Sequence, residues 1–143
     1  SFAAGCIANA LIDKCVPVLM TNFSRILNSL TGMFSEDRNE FIDGFNKYEL
    51  LIIDDLGIER NSEFALEQVY NIVDSRYRSK KPLIVTTNLT LDELKFPPEF
   101  ARRRIYDRIL ERCIPLKINN RNIRTMNAAI NFSATKELLV GGE

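Results

Sequence analysis

The chain of 143 residues contains no histidine and no tryptophan. Histidine is the commonest general base and the commonest zinc ligand, so its absence sets aside Ser-His, Cys-His and zinc-hydrolase chemistry. Cysteine is scarce. Cys6, Cys15 and Cys113 are odd in number and widely spaced, the pattern of structural free thiols in apolar or helical surroundings and a reducing compartment. No run reaches the roughly 18 apolar residues of a membrane span, and no cationic stretch followed by an apolar core opens the sequence. No membrane association is therefore expected, and the expected location is the cytoplasm. Only six glycines occur, and none forms the G-x-x-x-x-G-K-[ST] pattern that cradles nucleotide phosphates. Carboxylates, lysine, arginine and bound cations are left to carry any chemistry.

What is present suits one globular unit. The composition, 45% apolar and 27% charged, is ordinary, and the length supports one core rather than two, so residues 1–143 read as a single domain. Formal net charge is zero, yet the charges are segregated. Residues 36–67 have a balance of −7 and residues 95–124 a balance of +6. Such asymmetry suits an anionic partner or the acidic face of a neighbouring subunit, and equally two solvated faces.

The most informative stretch is Leu50-Leu51-Ile52-Ile53-Asp54-Asp55-Leu56-Gly57. Four branched apolar residues in succession predict a strand buried on both faces, as in the middle of a parallel sheet covered by helices. Asp54 and Asp55 then fall at its carboxyl end, where open α/β sheets bind ligands. Adjacent acids repel each other unless a cation or hydrogen-bond donors compensate, which points to a metal or metal-nucleotide. The alternative is a strand ending in a solvated Asp-Asp turn.

The remaining pattern is α/β alternation. Residues 1–14 have helical spacing, and 16–21 form a short strand that Pro17 confines to a sheet edge. Two weaker amphipathic segments follow, 24–34 and 35–45, with Gly32 and Gly44 as terminators. Ser62 is a plausible N-cap for a helix to Ser79 with Phe64, Leu66, Val69, Tyr70, Ile72, Val73 and Tyr77 on its apolar side. Residues 83–88 form a second buried strand, ending at the same edge as the acids. Thr90 and Glu93 fit a capping box, residues 99–112 a basic helix, and 113–118 a last strand. A further apolar helical stretch is expected over 125–132.

With these motifs in order, the chain resembles the ATPase domain of the AAA+ superfamily, and within it the DnaC-type helicase loaders and the IstB transposition helpers. LLIIDDLG-IE resembles the Walker B motif, IVTTNL the sensor 1 strand and RRRIYDRI the arginine-finger helix. The resemblance implies a three-layer P-loop NTPase sheet of parallel strands flanked by helices, ATP and Mg²⁺ as cofactors, and hydrolysis at subunit interfaces. It implies that Asp54 holds Mg²⁺ and that Asp55, where many relatives have Glu, orients or activates the attacking water. Asn88 would match the sensor 1 amide; a local strand-end turn is the alternative. Arg104, with Arg108 second, would reach a neighbour's nucleotide in a ring or filament; surface pairing with Asp107 and Glu111 is the alternative. Arg124 would stand where a sensor 2-like arginine does, although no separate helical lid follows it.

The resemblance also implies that Ser1 is the last residue of a P-loop, a ligand of nucleotide and Mg²⁺, with the first strand and the Gly-rich loop lying outside this chain. The 143 residues are accordingly expected to be a fragment that does not bind ATP by itself. The implied partners are a replicative helicase, or a transposase for the IstB relatives, and single-stranded DNA. DNA contacts would come from Arg25, Lys47, Phe23, Phe34 and Tyr48, although the acids nearby disfavour a phosphate backbone. A non-hydrolysing interaction scaffold is the rival reading from a different class.

Overall fold

The computed structural model describes residues 1–57 and 62–118. Among them the chain runs α1 (Phe2–Ile12), β1 (Val18–Asn22), α2 (Phe23–Leu30), α3 (Ser35–Asp43), a 3-10 turn (Gly44–Lys47), β2 (Leu50–Leu56), α4 (Glu63–Ser79), β3 (Leu83–Thr87), α5 (Leu91–Lys95) and α6 (Phe100–Arg112). The three strands form one parallel sheet in the order β1-β2-β3. The doubly apolar strand is thus central, as its sequence predicts, and the Pro17-flanked strand lies beside it at an edge. Residues 119–143, including Arg124 and the helix expected over 125–132, lie outside the described residues.

The two faces of β2 are packed by different layers. Ala4 and Ala8 of α1 contact Leu50 and Ile52, and the small alanines let the helix lie close to the strand. On the other face Leu51 and Ile53 join the larger cluster, with Phe23, Ile26 and Leu30 from α2, Val69, Ile72 and Val73 from α4, and Ile105 and Ile109 from α6. Leu51, Ile52 and Ile53 are wholly buried. At ~25 cal/mol per Å² of apolar surface removed from water, each such side chain supplies about 1.5–3 kcal/mol. The two clusters are what fix the register of the sheet.

Helix ends follow their local chemistry. Asn22 caps α2 by accepting from the Arg25 N–H at 2.9 Å, and Ser62 caps α4 by accepting from the Ala65 N–H at 3.2 Å. Thr90 and Glu93 form the expected capping box on α5. Gly32 takes a left-handed φ of +93° just past α2, which ends at Leu30 rather than at Phe34. Gly44 does not stop the chain. It keeps right-handed helical geometry and leads directly into the 3-10 turn.

Three expectations are overturned. Residues 113–118 are not a ladder strand among the described residues: Cys113 is extended, its thiol meeting the Leu83 carbonyl at 3.5 Å, while Ile114, Leu116 and Ile118 stay exposed. Alternating apolar residues make a strand only where a partner edge runs alongside, and none of the described strands does so there. Cys6, within α1, and Cys15 are free thiols as expected, but both are exposed. Cys113 is half-buried, and burial, against a smaller opposing effect of Arg112, pushes its thiol pKa up, away from nucleophilic use. The buried side of α4 is also less apolar than expected, since Phe64 is exposed while Gln68, Ser75 and Arg76 are buried. No helix among the described residues is long and apolar enough to cross a membrane.

Arg76 is the largest fully buried side chain. Its Nε and Nη2 donate to the Pro82 carbonyl at 3.2 and 2.7 Å, Nη1 to Phe45 and Tyr48 at 3.4 and 2.9 Å, and Nη2 also to Glu49 at 2.9 Å. One guanidinium thereby ties α4 to the segments entering β2 and β3. Beside it Ser75 Oγ accepts from Asn46 Nδ2 and donates to Asp43 Oδ1, both at 2.9 Å. Lysine cannot present donors in this planar fan. Replacing Arg76 by Lys is expected to lower unfolding free energy by about 2–4 kcal/mol, read from the denaturant midpoint, because carbonyls at both strand entrances lose their donors.

Candidate functional site

The site forms where β2 and β3 run out of apolar residues. Side chains alternate along a strand, so Asp54 follows Leu50 and Ile52 onto the face covered by α1. On β3, Ile84 packs against that same cluster and Thr86 comes two residues later. Asp54 and Thr86 therefore meet across the parallel pair, next to Ser1, the N-cap of α1. Thr86 Oγ1 donates to Asp54 Oδ1, and Ser1 Oγ donates to Asp54 Oδ2 at 2.9 Å. Both carboxylate oxygens are engaged.

At this point the ladder slips. Pairing is regular through Ile53 and Val85, but Leu56 then pairs with Thr87, so β2 carries one more residue than β3. Asp55 takes up the bulge with a left-handed φ of +58°, a region that short polar side chains tolerate better than most. Its N–H is held by Thr86 Oγ1 at 3.0 Å. Thr87 Oγ1 donates to the Leu56 carbonyl at 2.8 Å and accepts from the Leu89 N–H at 3.1 Å, so the next hydroxyl also serves the bulge. Gly57 follows at φ +103°, and a Cβ there would lie 3.0 Å from Leu89 Cδ1. The two acids end up unlike: Asp54 is half-buried and hydrogen-bonded, whereas Asp55 is exposed.

The electrostatics follow from those contacts. Burial works to raise the Asp54 pKa, but the hydrogen bonds from the Thr86 and Ser1 hydroxyls lower it, leaving it below the ordinary 3.8. Asp54 is thus an anion at neutral pH. It sits at the amino end of an eleven-residue helix, where first-turn N–H groups have no helical acceptor and the helix dipole favours negative charge.

A hard cation that keeps several waters, such as Mg²⁺, is usually held by one or two carboxylates together with substrate phosphates. Asp54 and the Ser1 hydroxyl, joined by a hydrogen bond, match that oxygen set. Among the described residues no group of three or more His, Cys, Asp or Glu side chains is placed to hold a metal ion.

The other expected residues are distributed differently. Asn88 lies just past the end of β3, exposed, at the same sheet edge as the acids. Arg104 and Arg108 share one face of α6, but that helix packs with α4 on the face opposite α1. The Arg104 guanidinium stands 4.4 Å from the Tyr70 ring centre, and Arg108 stands at the same distance from Tyr77. Arg108 also pairs with Asp74 at 3.4 Å and Glu111 at 3.7 Å. Of the residues suggested for DNA contact, Phe23 is excluded, because as the first residue of α2 it is buried in the core. Phe34, Arg25 and Lys47 are exposed and Tyr48 is half-buried; Lys47 and Tyr48 line a groove of about 810 Å³ together with Asp37 and Glu40, which repel phosphate.

Thr86 is the site residue that sequence reading missed. The available signal was parallel alternation: Ile52-x-Asp54 and Ile84-x-Thr86 have the same polarity pattern at the ends of neighbouring strands.

Two outcomes follow. The lowered Asp54 pKa contributes stability that is fully present above the unfolded-state value near 3.9 and is lost as pH falls through the lower folded value. Wild type should therefore lose more stability than Asp54→Asn as pH is lowered through that range, in parallel acid titrations followed by circular dichroism. Gly57→Ala should cost roughly 1–3 kcal/mol in denaturant unfolding, from the strained φ and the contact with Leu89.

Comparison with known proteins agrees with this architecture. The family of IstB-like ATP binding proteins matches over residues 2–130. The phage-like element PBSX protein XkdC of Bacillus subtilis is 30% identical over 106 residues, 70% of this chain and 40% of its own length. The replicative helicase loader DnaC of Escherichia coli K12 is 25% identical over 109 residues, 74% of this chain and 43% of its own. Bacillus subtilis YqaM is 34% identical over 70 residues, 46% of this chain and 22% of its own. The chain thus spans less than half the length of these relatives. A parallel sheet between helical layers, with acids at its carboxyl edge and a family match over most of its length, places this chain in the IstB-like ATP-binding family.

Proposed function

We propose that this chain is the catalytic core of an ATP-dependent helicase loader of the DnaC type, acting on Mg-ATP at subunit interfaces. The observation that carries the reading is the cluster of Asp54, Thr86 and Ser1 at the carboxyl edge of the sheet, beside the amino end of α1. Asp54 and the Ser1 hydroxyl would hold Mg²⁺, and the α1 terminus would face the phosphates. The bound ion would neutralise charge on the transferring phosphoryl group. Asp55, exposed and outside the hydrogen bonds that occupy Asp54, is the acid that orients a water and receives its proton. Asn88 at the same edge positions that water.

Arg104 acts in trans. Its helix is on the sheet face away from Asp54, so it would serve a neighbouring subunit's nucleotide, leaving the Tyr70 ring to do so. Arg108 has two carboxylate partners, and we assign it to holding the helix. Assembly is a ring or filament through α6. The partners proposed are a replicative helicase, in line with the name of the DnaC helicase loader, and single-stranded DNA. The IstB-like family match favours a second reading with the same core chemistry, a helper ATPase partnered with a transposase.

In the intact protein Asp55→Asn should reduce ATP turnover at least ~100-fold while Mg-ATP binding stays within a few-fold of wild type. Unchanged turnover would assign the acid elsewhere, and a wild type that binds without hydrolysing would support the scaffold reading. Mixing Asp55→Asn with Arg104→Ala subunits should restore part of the turnover, because some interfaces then pair a good acid with a good arginine. No recovery would remove the trans role.

A further inference from the structure

We infer that Thr86 is a positioning residue that sets how Asp54 is presented to a magnesium-nucleotide, an inference that rests on the Mg-ATP reading above. A threonine hydroxyl has a single proton and two lone pairs. One lone pair is taken by the Asp55 N–H at 3.0 Å, the donor that the bulge removes from the ladder between β2 and β3. The proton is then directed to Asp54 Oδ1. That bond fixes one carboxylate oxygen and leaves Oδ2 turned to the Ser1 hydroxyl at 2.9 Å.

The side chain is suited to this. Thr86 lies on a strand and is half-buried, and its branched Cβ restricts χ1, so the hydroxyl is aimed before any ligand arrives. The same oxygen serves the backbone of one acid and the carboxylate of the other, which couples the geometry of Asp55 to that of Asp54. Groups that orient a metal-binding side chain from behind typically govern ~10–100-fold in metal affinity.

The test uses the intact protein and a fluorescent ATP analogue, titrated with Mg²⁺ and, separately, in EDTA. Thr86→Val keeps the shape and loses the hydroxyl. It should raise the Mg²⁺ concentration for half-maximal nucleotide binding about 10–100-fold while affinity in EDTA stays unchanged. Thr86→Ser, which keeps the hydroxyl, should restore the wild-type requirement. Thermal unfolding of each variant is recorded alongside. If Thr86→Val fails to fold, Thr86→Ala serves as the second hydroxyl-free variant, with the same separation expected. A Mg²⁺ requirement unchanged in the hydroxyl-free variants, or affinity falling equally with and without Mg²⁺, overturns the inference and leaves the Mg-ATP reading standing. A wild type whose nucleotide binding ignores Mg²⁺ overturns both.

Discussion

The hydroxyl of Thr86 decides what the carboxyl edge of this sheet looks like. It accepts from the Asp55 N–H that the extra residue in β2 takes out of the ladder, at the point where two carboxylates already crowd each other. With it, the bulge is stable and the acids separate in character. Asp54 becomes an inboard, hydrogen-bonded anion, and Asp55 an outlying, solvated one. Repulsion between adjacent acids, a liability on paper, is resolved by giving them different surroundings.

The opposite end of the same strands is held by a different device. Arg76 gathers carbonyls from the segments entering β2 and β3 and locks them to α4. Between Arg76 and Thr86 run Leu51, Ile52 and Ile53, wholly buried from both sides. The central strand is therefore pinned by a charge-assisted fan at its start, by apolar packing along its length and by a hydroxyl at its end. Rigid support of this kind is what a site needs when its geometry must exist before the ligand does. The arginines of α6 follow another logic, stacked on tyrosines of α4 at the sheet face away from Asp54.

Much of this was legible in the sequence. Leu50 to Ile53 announce a doubly buried strand because neither face has polar residues, and Ser62, Thr90 and Glu93 announce helix starts because their hydrogen bonds are local. What failed or stayed hidden depends on distant chain. Residues 113–118 have the right alternation, but alternation does not supply a partner edge. Arg76 reads as one more surface arginine until the entrances to two strands converge on it. Phe23 looked available for stacking because nothing nearby in sequence shows that α2 turns it inward. The left-handed turn at Asp55 and the role of Thr86 arise only from the register between β2 and β3.

Membership of the IstB-like ATP-binding family and the geometry at Asp54 support the same chemistry from independent directions. That chemistry requires the metal of a bound metal-nucleotide to lie beside Asp54 and Ser1, at the carboxyl edge of β2. Crystals of the intact protein grown with a non-hydrolysable ATP analogue and Mn²⁺, measured at the manganese absorption edge, locate that metal directly. The expected result is one anomalous peak next to the Asp54 carboxylate and the Ser1 hydroxyl, with the phosphates at the amino end of α1. Nucleotide and manganese bound at any other place would contradict it.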